Sequence, residues 1–231
     1  MRSFIIFIII IAYAVSPYQA SAYKEKRMVA VGDSIPYGYN LEKDNSQPPD
    51  GSFPSLIAKK RNLEVTNLSI PGITSSELLG AVKSNEIYRE ALKEADYVIV
   101  YIGGNDLLNI VKQNGGLDGV ELEDAAPVIR DLLYNVYETI LEIDELTDGK
   151  ILVYNIYNPY PAAGDKLDTP LAYINQQYAS LVKLLKHFTS VSLVNANKAF
   201  RGHPEYIIKG DVHPTKKGQE VLAKLALKHV K

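Results

Sequence analysis

Five short, mostly apolar runs, separated by stretches whose apolar residues recur at helical spacing, constrain this chain more than anything else in it. Met28 to Val31, Glu64 to Leu68, Tyr97 to Ile102, Ile151 to Ile156 and Val191 to Val194 are of strand length and rich in Val, Ile and Tyr. A strand with one wet face alternates apolar and polar residues. These runs are close to continuous, which calls for cover on both faces and hence a parallel sheet between helical layers. Helical periodicity fills the gaps at Ser52 to Arg61, Ser75 to Val82 with Tyr88 to Ala95, Pro127 to Leu146, Leu171 to His187, and Lys216 to His229. Thr74 with Glu77 makes a capping box, Pro127 suits a first helical turn, and Thr215 can cap ahead of Lys216. Five βα units with right-handed crossovers predict an α/β fold: a three-layer α/β/α sandwich on a five-stranded parallel sheet, flavodoxin-like in plan.

At 231 residues and 46% hydrophobic content, one substantial core is expected. Residues 1–22 are set apart from it. Arg2, the uncharged run Phe4 to Val15 and the small-residue site Ala20-Ser21-Ala22 form a secretory signal pattern, which leaves residues 23–231 as the domain and Tyr23 as its first residue. The run falls short of the roughly 20 apolar residues that span a bilayer, so no membrane anchor is expected after cleavage. The chain has no cysteine, which excludes disulfides and thiolate metal sites and fits a secreted bacterial protein. Its net charge of −2 is spread along the sequence without a basic stripe, so nucleic acid is not an expected partner.

In a sheet of this kind ligands bind outside the carboxyl ends of the strands. The residues there are Gly32-Asp33-Ser34 after the first strand, Asn67-Leu68-Ser69-Ile70-Pro71-Gly72 after the second and Gly103-Gly104-Asn105-Asp106 after the third. Gly210-Asp211-Val212-His213-Pro214 follows the fifth, just before the last helix. A serine hydroxyl is a weak nucleophile until a base takes its proton, and an imidazole, titrating near ~6.5 when unperturbed, is suited to take and return it. Ser34 and His213 therefore propose acyl-transfer chemistry. Asp33 reads as a brace for the serine turn. His203, without an acid upstream, and His187 and His229, at helix ends, compete poorly for the role of base.

Taken together and in order, the four islands resemble the blocks of the SGNH, or GDSL, hydrolase superfamily, from Gly32 to Pro214. The resemblance implies the SGNH hydrolase fold, a catalytic Ser34 and His213, and an oxyanion hole made by the Ser34 N–H, the Gly72 N–H and the Asn105 side chain. Such donors stabilise the negative oxygen of a tetrahedral intermediate. A glycine can turn a bare backbone N–H inward, and an asparagine amide donates without carrying charge.

One departure stands out. The family's last block places its acid three residues before the histidine, where this chain has Gly210; Asp211 lies only two before. Along an extended segment that shift turns the side chain to the other side. Three arrangements are open: a local bend brings Asp211 to the His213 ring, a backbone carbonyl takes its place, or Asp211 serves elsewhere.

The chain has no phosphate-binding Gly-x-x-x-x-Gly-Lys, no dinucleotide fingerprint, no His-Glu-x-x-His and no Gly-x-Ser-x-Gly elbow. No metal or cofactor is expected. Asn67-Leu68-Ser69 matches a glycosylation sequon and reads as coincidence in a chain of bacterial character. The loops Ile35 to Gly51, Leu107 to Ala125 and Asn158 to Pro170 flank the site, with Tyr37, Tyr39, Tyr157 and Tyr160 among an unusual 16 Tyr against 5 Phe. Three readings follow for a small ester or acylated substrate: a secreted serine esterase or lipase-like acyl hydrolase, a cell-wall carbohydrate O-acetylesterase, and a noncatalytic extracellular binding protein. Gly210 in the acid's place is the feature that favours the last.

Overall fold

The computed structural model describes residues 25–231; the expected leader at residues 1–22 lies outside them. Strands β1 (Arg27–Gly32), β2 (Glu64–Asn67), β3 (Tyr97–Tyr101), β4 (Lys150–Tyr154) and β5 (Val191–Val194) pair in parallel in the order β2-β1-β3-β4-β5. The helices, in chain order, are α1 (Ser34–Tyr37), α2 (Phe53–Arg61), α3 (Ser75–Ser84), α4 (Glu86–Lys93), α5 (Gly104–Gln113), α6 (Leu122–Asp144), α7 (Asp165–Leu185), α8 (Ala196–Phe200) and α9 (Lys216–Ala226). The expected five-stranded α/β/α sandwich is the fold observed.

Alternation along each strand divides the interior in two. Val29, Val31, Val98, Val100, Ile151 and Val153 face α3, α4, α6 and α7. Met28, Ala30, Ile99, Tyr101, Leu152 and Tyr154 face α2, α8 and α9. Burying both faces explains why the runs lack polar alternation, and edge strand β2, half exposed, is the one that shows it. Part of the tyrosine surplus is core. Tyr154 and Tyr178 are fully buried, and each donates its hydroxyl to a backbone carbonyl, of Leu222 at 3.0 Å and Ile102 at 2.9 Å.

Helix boundaries differ most from expectation in one region, and the short α8 forms where no helix was expected. Residues 104–113 form a helix where a loop was expected, with Leu107 and Val111 one turn apart on one face. α6 starts at Leu122 and α7 at Asp165, so Pro127 and Pro170, read as boundaries, lie inside them. Each proline removes the bond to the carbonyl four residues earlier, of Glu123 and Lys166; both of those residues are exposed, so water can satisfy the carbonyls. Among the described residues no helix is long and apolar enough to cross a membrane.

The strand order changes direction between β1 and β3, since β1 connects outward to β2 and the chain then returns across to β3. That switch point opens a crevice at the strands' carboxyl ends. Ser34 follows β1 and Asn105 follows β3, so both stand at its mouth. A Cβ added at Gly32 would lie 2.0 Å from the Tyr101 carbonyl oxygen, so only glycine lets β1 finish so close against β3.

Candidate active site

Ser34, the candidate nucleophile, is placed by the sheet. The Asp33 N–H donates to the Tyr101 carbonyl at 3.1 Å, extending the β1–β3 pairing by one residue. The Asp33 carboxylate then accepts from the Ile35 N–H at 2.9 Å, capping α1, whose first residue is Ser34. Asp33 thus braces the serine turn, as its sequence position predicts. Ser34 heads this short helix, so no preceding turn supplies an acceptor for its own N–H. Burial dominates the ionisation of Asp33. With the neighbouring Asp106 carboxylate it outweighs the hydrogen bond from Ile35 and pushes the carboxyl up to about 7.

His213 and Asp211, the candidate base and acid, arrive on the segment between β5 and α9. The Ile208 N–H donates to the His213 carbonyl, the Asp211 N–H to the Ile208 carbonyl, and the Tyr157 hydroxyl to the Val212 carbonyl at 2.5 Å. Thr215 caps α9 directly afterwards, as expected. In the resulting geometry His213 Nε2 lies 3.0 Å from Ser34 Oγ, and His213 Nδ1 lies 2.6 Å from Asp211 Oδ1. An ionised Asp211 can only accept, so the ring proton belongs on Nδ1, which leaves Nε2 to receive the serine proton.

Of the three arrangements open for Asp211, the local bend is therefore the one adopted. Gly210, in the acid's usual position, has φ of 80°, a left-handed conformation that suits glycine and turns the chain. The other carboxylate oxygen of Asp211 accepts from Asn40 Nδ2 at 2.7 Å. Partial burial opposes the charged form of Asp211, but the bonds from Asn40 and the Val212 N–H and the adjacent imidazole outweigh it, holding the carboxyl below its ordinary value.

Gly72 and Asn105 line the same cavity as Ser34 and His213. Asn105 Nδ2 donates one proton to the Ile73 carbonyl at 2.9 Å, which fixes the amide and leaves its second proton available. The next residue reinforces the tie. Asp106 accepts from the Ser75 N–H at 3.0 Å and its hydroxyl at 2.6 Å, and Ser75 Oγ in turn accepts from Asn135. The segments after β2 and β3 are thereby stitched together, with Gly72 and Asn105 on the joined edge.

All five residues singled out in the sequence thus meet at one place, Asp211 standing behind His213. His203 does not join them. It is exposed, pairs with Glu205 and stacks on Tyr206. Asn40, Ser75 and Asn135 carried no local signal, because each acts across a long sequence separation; Asp106 was visible in its island but had no partner to give it a role. The sequon asparagine is also employed, since Asn67 donates to the Pro36 carbonyl at 2.8 Å and so ties the end of β2 to α1.

The cavity holds about 390 Å³. Its polar groups gather at the strand ends, while Leu107, Leu108, Val111, Leu117, Leu167 and Leu171 make up much of the remaining wall. Tyr39 packs against the His213 ring with centroids 5.1 Å apart, and Tyr157 and Tyr160 also reach the cavity.

The profile of the GDSL-like Lipase/Acylhydrolase family matches residues 30–221. An uncharacterized protein of Bacillus subtilis, YpmR, is 27% identical over 216 residues, covering 88% of this chain and 81% of that protein. Among solved structures, a lipase from a goat rumen metagenome superposes with a TM-score of 0.72 at 21% identity, covering 89% of this chain and 97% of that one. An acetyl xylan esterase of Geobacillus stearothermophilus gives 0.63 at 16% identity, covering 89% and 94%. At these identities the two structures speak for the fold.

Proposed function

The chain belongs to the GDSL-like lipase/acylhydrolase family, and from that premise we propose that it is a serine-dependent carboxylic ester hydrolase. The observation that carries this reading is the continuous line from Asp211 through His213 to Ser34, opening onto a largely aliphatic cavity.

Ser34 Oγ attacks the ester carbonyl carbon while its proton passes to His213 Nε2, and Asp211 stabilises the imidazolium. The carbonyl electron pair moves onto oxygen, where the Ser34 N–H, the Gly72 N–H and the free Asn105 amide proton act as donors. Collapse of the intermediate breaks the bond to the alcohol, which leaves with the proton from Nε2. Water then attacks the acyl-serine by the same proton route, releasing the carboxylic acid and restoring Ser34. With Asp211 on the imidazole, the argument from Gly210 for a noncatalytic protein lapses. An acetyl group would fill little of the aliphatic cavity, which favours longer acyl groups over carbohydrate O-acetyl esters.

A panel of p-nitrophenyl esters from acetate to palmitate, with acetylated glycans alongside, tests this. Hydrolysis is expected to favour acyl groups longer than acetyl, and Ser34→Ala to lower turnover by on the order of 10⁴-fold or more. Acetate-only activity would move the protein to the O-acetylesterase reading; inactivity of folded protein on every substrate would sink both.

A further inference from the structure

A second cavity, of about 240 Å³, adjoins the active-site cavity. Leu107, Val111, Leu117, Leu167 and Leu171 line both, so the two share a wall of aliphatic side chains. The far cavity lies between α5 and the first turns of α6 and α7, with the buried Ile110 and Ile174 in its lining. Its charged lining residues are Glu121 and Lys166. The Lys166 ammonium is engaged with Asp118 at 2.6 Å, and both of those side chains are largely exposed. Aliphatic walls offer water no hydrogen-bond partners, so the interior of this cavity suits an apolar group.

We propose that the far cavity receives the distal half of a long, unbranched acyl chain whose ester carbonyl sits at Ser34. The proposal rests on the ester-hydrolase reading and names its substrate class. If a methylene takes about the ~30 Å³ share of a water molecule, the first cavity holds on the order of a dozen heavy atoms, ester group included. A chain of up to roughly eight carbons fits there, and a longer one must pass the shared leucine and valine wall, where the second volume accepts several more methylenes. Each methylene fully buried strengthens binding roughly fourfold, so the preference should climb with chain length and level off once both cavities are filled.

Ala125 and Ile129, one turn apart on α6, line the far cavity and not the near one. Enlarging them should shorten the accepted chain. With Ala125→Phe, and with Ile129→Trp in case the first fails to fold, the ratio of kcat/KM for p-nitrophenyl dodecanoate to that for butyrate is expected to fall about fifteenfold, the effect of displacing two methylenes. An unchanged ratio in both folded variants overturns the proposal. Calorimetry of dodecanoate on the Ser34→Ala protein separates this outcome from failure of the ester reading. Binding weakened about fifteenfold by adding Ala125→Phe, where the wild-type protein hydrolyses no ester, would retain the chain site and sink the reaction. Short-ester hydrolysis with no dodecanoate binding would do the reverse.

Discussion

The proposed nucleophile and its proposed base reach the same point by opposite routes. Ser34 is fixed by the sheet itself, through a glycine pressed against β3, an amide that continues the strand pairing and an aspartate that caps the helix. His213 and Asp211 ride on a segment outside the sheet, held by hydrogen bonds from Tyr157, Asn40 and the segment's own backbone. A strand end admits one geometry, whereas a loop can redistribute its turns. The acid has moved by one residue along the loop, with Gly210 absorbing the change, while the serine block keeps its family form.

This contrast ranks the mutational effects. Asp211→Asn should be the most severe on the loop side, because the amide cannot hold the imidazole in the required tautomer. A fall of about 10³- to 10⁴-fold in kcat, in steady-state ester hydrolysis, is expected. Full retention would show that the loop works without its acid.

Next comes the bond that steadies that acid. Asn40 has φ of 62°, so Asn40→Gly removes its amide without straining the backbone, which Ala would do. A roughly tenfold loss is expected, about 1.4 kcal/mol, near the lower end for a hydrogen bond to a charged group. The acid limb of the kcat profile should move to higher pH. A uniform drop with an unmoved limb would mean that Asn40 serves only the fold.

The sheet side should show its effect in stability more than in turnover, since Asn caps a helix as well as Asp does. Asp33, raised to about 7 in the fold, keeps its proton there after the unfolded chain has lost it near ~3.9. Its share of stability is therefore greatest below about pH 4, declines as pH rises to about 7 and is constant above, by on the order of 4 kcal/mol in all. Denaturant titrations across that range should show a shallower decline for Asp33→Asn. Identical slopes would place the carboxyl's ionisation elsewhere.

The sheet was almost fully legible in the sequence, and so was the gathering of the candidate residues that follow its strands. Continuous burial leaves a continuous apolar run, and Ser34, Gly72 and Asn105 stand just beyond those runs, while His213 stands just before α9. What could not be read lies between α5 and α7. Gly103 and Gly104 look like loop, yet they open a helix, and Pro127 and Pro170 look like boundaries, yet exposed first turns extend upstream of each. Leu107 and Val111 of α5 and Leu167 in the first turn of α7 stand in the wall shared by the two cavities, and Ala125 of α6 lines the far one, so substrate chemistry stayed obscure where the helix ends did. Asn40 was hidden for another reason: its bond to Asp211 spans 171 positions, and no local pattern encodes it.

For protein engineering, the contact at Gly32 divides the molecule into fixed and variable ground. Any side chain there would collide with the backbone of β3 rather than with a movable neighbour. A library aimed at new specificity should therefore hold position 32 constant and place its diversity on the first turns of α6 and α7, where exposed residues can change without disturbing the nucleophile.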